Sequence, residues 1–273
     1  MYLSTKVIHR VDNPSTAAWT SFLITGFKKI DIYQKAWYNK EAMEMQEKLS
    51  FYEEKITQEK REEFAYFRAL LLEYNAKYNL TTILEERDML YKHFLDSVAG
   101  EAFFKTGAKA AEIGSGAGFP SIPLKILRPD LQFDLFESVG KKCEFLQVVV
   151  DKLGLQGMHI YNIRAEDAAK NEMHREQYDA VTARAVARMN TLCEYCMPFV
   201  KVGGVFVAYK SGETGEITEA NRAIGILGGK LKESVNYALP SGYGERTLAV
   251  VEKVKRTPEK YPRGQGKERK QPL

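Results

Sequence analysis

Residues 111–120 read Ala-Glu-Ile-Gly-Ser-Gly-Ala-Gly-Phe-Pro. A short apolar run ends at Ile113, glycines follow at Gly114, Gly116 and Gly118, and an amphipathic stretch begins after them. Strand, glycine turn and helix in that order mark the edge of a nucleotide pocket, because glycine lets the backbone approach a ligand that a side chain would hold off. The dinucleotide spacing G-x-G-x-x-G needs a glycine at position 119, and Phe119 stands there. The loop therefore favours an adenosine-bearing ligand other than NAD.

On the amino-terminal side, Phe64, Phe67, Leu71, Tyr74 and Tyr78 recur at three- and four-residue steps. That spacing predicts one face of a helix, with Thr57 as its N-cap. A break at 79–82 separates it from a second helix that starts near Glu86 and turns Leu90, Phe94 and Val98 inward. On the carboxyl side, apolar strand patterns at 132–137, 158–162, 178–183 and 204–209 alternate with helical patterns at 122–127, 141–153, 190–197 and 216–227. Two further strands, 230–238 and 247–254, are joined through a turn at 240–244. This alternation predicts an α/β fold, a mostly parallel sheet covered on both faces, with the last hairpin adding an antiparallel edge strand. The organisation expected is an irregular extension at 1–45, a helical cap at 46–107, a core at 108–254 and a basic tail at 255–273.

The composition is that of a globular chain of 273 residues, 44% hydrophobic and 28% charged, with a formal net charge of +4. Its three cysteines do not form a disulfide framework, which fits a reducing cytoplasm. Cys193-x-x-Cys196 lacks a second cysteine pair, so buried thiols are expected and no metal site. Residues 16–27 faintly mimic a signal peptide, but Thr20, Ser21 and Thr25 dilute the apolar run, and export is not expected. No membrane span is expected either. From Lys253 to Lys270 eight Lys or Arg face two Glu, with prolines and glycines between them. That composition cannot pack a core, and it suits either a flexible arm against phosphates or a merely solvated C-terminus.

Candidate site residues fall at the predicted strand ends. Glu137 closes the second strand, where a carboxylate accepts hydrogen bonds from a ribose diol. Glu112 lies inside the first strand and requires a donor, either a ligand ammonium or a backbone N–H. Ala165-Glu166 follows the third strand, at the place of an adenine ring. Arg184 and Lys210 follow the fourth and fifth strands, with Arg188 one helical turn beyond Arg184; together they suit an anionic substrate. His93, Asp96 and Ser97 form a hydrogen-bonded cluster without the geometry of a hydrolase triad.

Several stretches, taken jointly and in order, resemble the bacterial small-subunit rRNA guanine-N7 methyltransferases, also called glucose-inhibited division protein B. They are Tyr78-Asn79-Leu80-Thr81, Lys92-His93-Phe94-Leu95-Asp96-Ser97, the loop from Ile113, E-S-V-G-K-K-C-E-F-L from Glu137, R-A-E from Arg164, T-A-R-A-V-A-R from Thr182 and T-P-E-K-Y-P-R from Thr257. The resemblance runs from about residue 60 to the C-terminus. It implies a class I, Rossmann-like, seven-stranded fold with a helical cap and S-adenosylmethionine as methyl donor. It also implies methylation at N7 of a guanine in 16S rRNA or the small ribosomal subunit, by a cytoplasmic monomer that needs no metal. Donor contacts are implied at Gly114, Phe119, Ala165, Glu166 and Arg184; Gly116, Gly118 and Glu137 join them as cofactor candidates. Arg184, Lys210 and Arg188 are candidates for positioning the substrate. Glu112 and Glu137 stand where such proteins usually carry Asp, and Glu268 replaces a proline of the tail motif. The rival readings are an NAD-dependent oxidoreductase, a non-catalytic RNA-binding assembly factor and a small-molecule methyltransferase.

Overall fold

The computed structural model describes residues 44–212 and 215–273. The expectations for the extension and for a leader at 16–27 lie outside the described residues, apart from the last two positions of the extension. Residues 44–54 form helix α1, which continues as a π-helical turn, Lys55–Glu59. Helix α2 is Arg61–Tyr78, and it ends on Asn79 in the left-handed region. Thr57 is not an N-cap: it lies within the π turn, and its hydroxyl bonds back to the carbonyl of Glu53 at 2.7 Å. Helix α3 runs through Glu86–Met89, a π segment Leu90–Leu95, and Asp96–Val98. The π segment re-aims Lys92, His93 and Asp96 relative to a regular helix, as such widened turns often do at functional sites.

Seven strands form one sheet: β1 Lys109–Ile113, β2 Gln132–Glu137, β3 Met158–Asn162, β4 Tyr178–Arg184, β5 Val200–Ser211, β6 Gly229–Ala238 and β7 Glu245–Lys253. Their order is β3-β2-β1-β4-β5-β7-β6. The first five are parallel, and β7 runs antiparallel to both of its neighbours. The antiparallel strand of the last hairpin is therefore inserted between β5 and β6 rather than placed at the edge. Consistent with that place, β7 is apolar on both faces, with Leu248 to Val251 all buried, as an interior strand requires. Helices α4 (Ser121–Leu127) and α5 (Gly140–Leu153) follow β1 and β2; α6 (Ala165–Ala168) and α7 (Met189–Cys196) follow β3 and β4; α8 (Glu216–Glu219) and α9 (Asn221–Ile226) follow β5.

Two apolar clusters lie on the two faces of the sheet. The one shared with the cap places Phe67 and Phe94 against Phe119, with ring centroids 5.4 and 6.2 Å apart. The cap is thus packed onto the glycine loop itself.

The tail departs from its predicted character: it packs. Arg175 donates to the carbonyls of Thr257 and Tyr261, both at 2.9 Å. Arg263 forks onto the carboxylate of Glu194, which is fully buried, at 2.9 and 2.7 Å. Lys253 is also fully buried and donates to the carbonyls of Met197 and Val200 and to Thr257. A short helix, α10 (Lys267–Lys270), follows. Composition misleads here because the partners, Arg175 and Glu194, sit on distant elements.

Gly118 has φ +84°, and a Cβ there would lie 2.4 Å from Cγ1 of Ile122. Both the backbone conformation and the packing of α4 on the loop therefore demand glycine. Gly118→Ala is expected to destabilise the chain by about 1–3 kcal/mol. An unchanged urea midpoint would show that the loop is not tight at this point.

Candidate active site

The carboxyl ends of the parallel strands open on two clefts that share Gly114. The first, about 300 Å³, is lined by Glu137 and Ser138 beyond β2, by Ile163, Ala165 and Glu166 beyond β3, and by Tyr195. The second, about 530 Å³, lies beneath the cap and is lined by Gly116, Phe119, Thr81, His93, Asp96, Arg184 and Lys210. Gly114 is the floor between them. It has φ +70°, and a Cβ there would meet Val186 Cγ2 at 2.8 Å.

Glu137 is buried and its carboxylate is fixed by two backbone donors. Gly116 N–H bonds one oxygen at 2.9 Å and Val139 N–H the other at 2.8 Å. Each oxygen keeps a further lone pair for a ligand hydroxyl.

Arg184 at the end of β4 is the hub of the second cleft. Its Nη1 donates to Asp96 at 3.0 Å, its Nη2 reaches His93 Nδ1 at 3.1 Å, and its guanidinium lies over the Phe119 ring at 4.9 Å. His93 stacks on the same ring, with centroids 4.3 Å apart. A guanidinium only donates, so Nδ1 of His93 accepts and its Nε2–H donates to Thr81 Oγ1 at 2.8 Å. Burial, reinforced by the adjacent Arg184, depresses the His93 pKa to about 3. At neutral pH the imidazole is an uncharged strut with both nitrogens engaged. Asp96 also accepts from Tyr237 at 2.8 Å and faces Arg246 Nε at 3.5 Å.

Lys210 donates to the carbonyl of Ala187 at 2.9 Å and pairs with Glu216 at 3.2 Å. Ala185, next to Arg184, lines this cleft with φ +57°, a strained setting for a residue with a Cβ.

Not every candidate joins these clefts. Arg188 is exposed and pairs with Glu219 at 2.8 Å, so the three cations do not converge; the turn after β4 carries Arg188 away from the sheet edge. Gly118 lines neither cleft and serves packing. Cys193 and Cys196 are buried free thiols, and burial pushes Cys193 up to about 12. Several lining residues have no signal in the sequence: Tyr195, Arg246, and the tail residues Gly266 and Arg269. They come from elements whose approach to the sheet edge only tertiary structure defines.

Glu112 is fully buried in β1. Ser121 Oγ donates to its Oε2, while its Oε1 has no hydrogen-bond partner among the described residues. Burial raises its pKa to about 8, against the opposing pull of Ser121 and Arg184. Glu112 lines neither cleft, so its unpartnered oxygen belongs to the sheet interior.

A doubly wound sheet with an antiparallel β7, a glycine floor and paired clefts at its carboxyl edge defines the class I methyltransferase architecture. Residues 60–241 match the family model described as rRNA small subunit methyltransferase G. The chain is 44% identical over 231 residues to the ribosomal RNA small subunit methyltransferase G of Lactobacillus acidophilus, covering 82% of this chain and 96% of that protein. It is 46% identical over 215 residues to that of Lachnoclostridium phytofermentans, covering 78% and 89%. A solved SAM-dependent methyltransferase from Aquifex aeolicus aligns with a TM-score of 0.47 at 14% identity, over 61% of this chain and 93% of that one. The chain belongs to the rRNA small subunit methyltransferase G family.

The raised pKa of Glu112 has a sign that can be tested. Below the ordinary glutamate pKa both folded and unfolded states hold the proton. Between that value and about 8 only the folded state holds it, so the contribution to stability falls as pH rises through this window. Glu112→Gln removes the titration. Relative to wild type, it is expected to gain about 2–4 kcal/mol in urea unfolding at pH 8 compared with pH 4. A pH-independent difference between the two proteins would show that Glu112 is ionised in the fold.

Proposed function

We propose that the two clefts divide the methyl donor between them, adenosine in the first and the methionine end in the second, with the target base entering beneath the cap. The chain is an S-adenosylmethionine-dependent rRNA methyltransferase acting at N7 of guanine in 16S rRNA. The observation that carries the residue assignment is the sharing of Gly114 by a cleft holding Glu137, Ala165 and Glu166 and a cleft holding Gly116, Phe119 and Arg184.

When bound, S-adenosylmethionine supplies an electrophilic methyl on a sulfonium centre. Glu137, held by the N–H groups of Gly116 and Val139, accepts from the ribose hydroxyls. Ala165 leaves room for the adenine edge, and Glu166 accepts from its amine. Guanine N7 attacks with a lone pair, so no proton has to be removed first and no general base is required. His93 fits that requirement, since an imidazole with a pKa near 3 and two engaged nitrogens takes up no proton at neutral pH. The work of the site is alignment and exclusion of water. Arg184 and Lys210 are already neutralised by Asp96 and Glu216. They can direct remaining N–H groups to guanine O6, a phosphate or the donor carboxylate without opposing the positive charge that arrives at N7. Lys92, Lys142 and Arg246 at the cleft supply cations for RNA phosphates. We assign the protein a cytoplasmic location and a monomeric state, with no membrane or metal partner.

The test is transfer of labelled methyl to 16S rRNA and to small subunits from a strain lacking the activity, with nuclease mapping of the product. Wild type is expected to modify a single guanine at N7. Arg184→Ala is expected to lower transfer by about 100-fold or more. It should also destabilise the chain by about 3 kcal/mol, because the buried Asp96 loses its cation. Arg184→Lys cannot reproduce the fork onto Asp96 and His93 and should restore stability better than rate. Near-normal turnover in Arg184→Ala would refute its role.

A further inference from the structure

We propose that the C-terminal segment is one wall of the adenosine cleft, with Arg269 binding the donor by laying its guanidinium against the purine ring. This rests on the donor assignment above and extends it to residues outside the glycine loop and the strand ends. Gly266 and Arg269 line the same cleft as Glu137, Ala165 and Glu166.

The backbone at this point is held on both sides. Before it, Arg263 forks onto the buried Glu194. Within it, Thr191 Oγ1 donates to the carbonyl of Glu268 at 2.9 Å, and the fully buried Glu268 side chain accepts the Gly264 N–H; beyond it, Arg263 Nη2 donates to the carbonyl of Gln271 at 2.8 Å. Four separate groups are thus committed to placing a stretch whose composition resembles a solvated arm.

The Arg269 side chain itself is held lightly. Its residue is exposed, and its Nη2 reaches the carbonyl of Val186 at 3.4 Å. A fixed backbone carrying a loosely held guanidinium at the wall of a cleft is the arrangement expected of a ligand contact. A purine offers no charge but presents a broad π-face, which a planar guanidinium covers and an ammonium does not.

Two ligands separate the possibilities. S-adenosylhomocysteine carries the whole donor skeleton, and 5′-methylthioadenosine carries the adenosine end without the amino acid. Isothermal titration of the full chain is expected to show Arg269→Ala weakening both by about tenfold, with Arg269→Lys recovering less than half of that loss. The ligand-induced rise in melting temperature, read against each variant's own ligand-free value, should fall in parallel, so that a change in stability does not pass for a change in affinity. Unaltered affinity for both ligands would overturn the proposal. A loss confined to S-adenosylhomocysteine would place Arg269 at the methionine end, and full recovery by Lys would replace stacking with simple charge; either overturns it too. If wild type binds neither ligand, the donor assignment itself fails. Wild-type binding with unaffected variants removes only the role of Arg269.

Discussion

The pairing of Arg184 with Asp96 joins the helical cap to the sheet. One partner closes β4 and the other lies on α3, and both are largely buried, with side chains 13% and 6% exposed. A desolvated pair of this kind contributes little net stability against an apolar alternative, but losing one member leaves a buried charge uncompensated. Its value lies in specifying geometry. Asp96 also holds Tyr237 of β6 and faces Arg246 of β7, so a single carboxylate registers the cap against three strands. The second cleft exists because these elements are held in that relation.

Charge distribution within the cleft follows from the same pairing. Methyl transfer carries positive charge from a sulfonium to a purine nitrogen. An unpaired cation beside that path would oppose the product, while an unpaired buried carboxylate would be costly in the empty site. The structure resolves both demands. Arg184 and Lys210 are matched by Asp96 and Glu216, and His93 is kept neutral by burial and by Arg184. Arg184 and Lys210 thus keep directional N–H donors while their charge is matched locally, and Lys142 and Arg246 add positive charge at the same cleft.

Much of this was readable in the sequence because the strand ends carry local signals. The glycine loop, Glu137, Ala165-Glu166 and Arg184 each sit where the strand-helix alternation stops, and hydrophobic periodicity locates those stops. Residues whose role depends on approach from elsewhere were not readable. Arg188 looked equivalent to Arg184 one turn away, yet the left-handed turn at Ala185 sends the chain to the surface, where Arg188 meets Glu219. Thr57 had the chemistry of an N-cap, but helix continues through it as a π turn. The continuous apolar run of β7 suits an interior strand, but the hairpin alone does not say which of its two strands pairs with β5.

The tail is the strongest case of composition misleading. Its basic residues, prolines and glycines describe a chain that cannot bury enough apolar surface to fold alone, and that much is true of it. It does not fold alone, because the body supplies Glu194, Arg175 and Thr191 as ready partners, and the entropy of ordering the tail is offset by hydrogen bonds to groups that would otherwise be buried without them. Glu194 requires Arg263 as much as Arg263 requires Glu194. Truncating the chain after Val254 would therefore leave Glu194 on α7 without its cation and remove Gly266 and Arg269 from the first cleft, and weakened RNA binding in such a protein would not by itself describe an RNA-binding arm. In this fold the basic tail is a structural member, and any contact it makes with RNA is made from a fixed position at the first cleft.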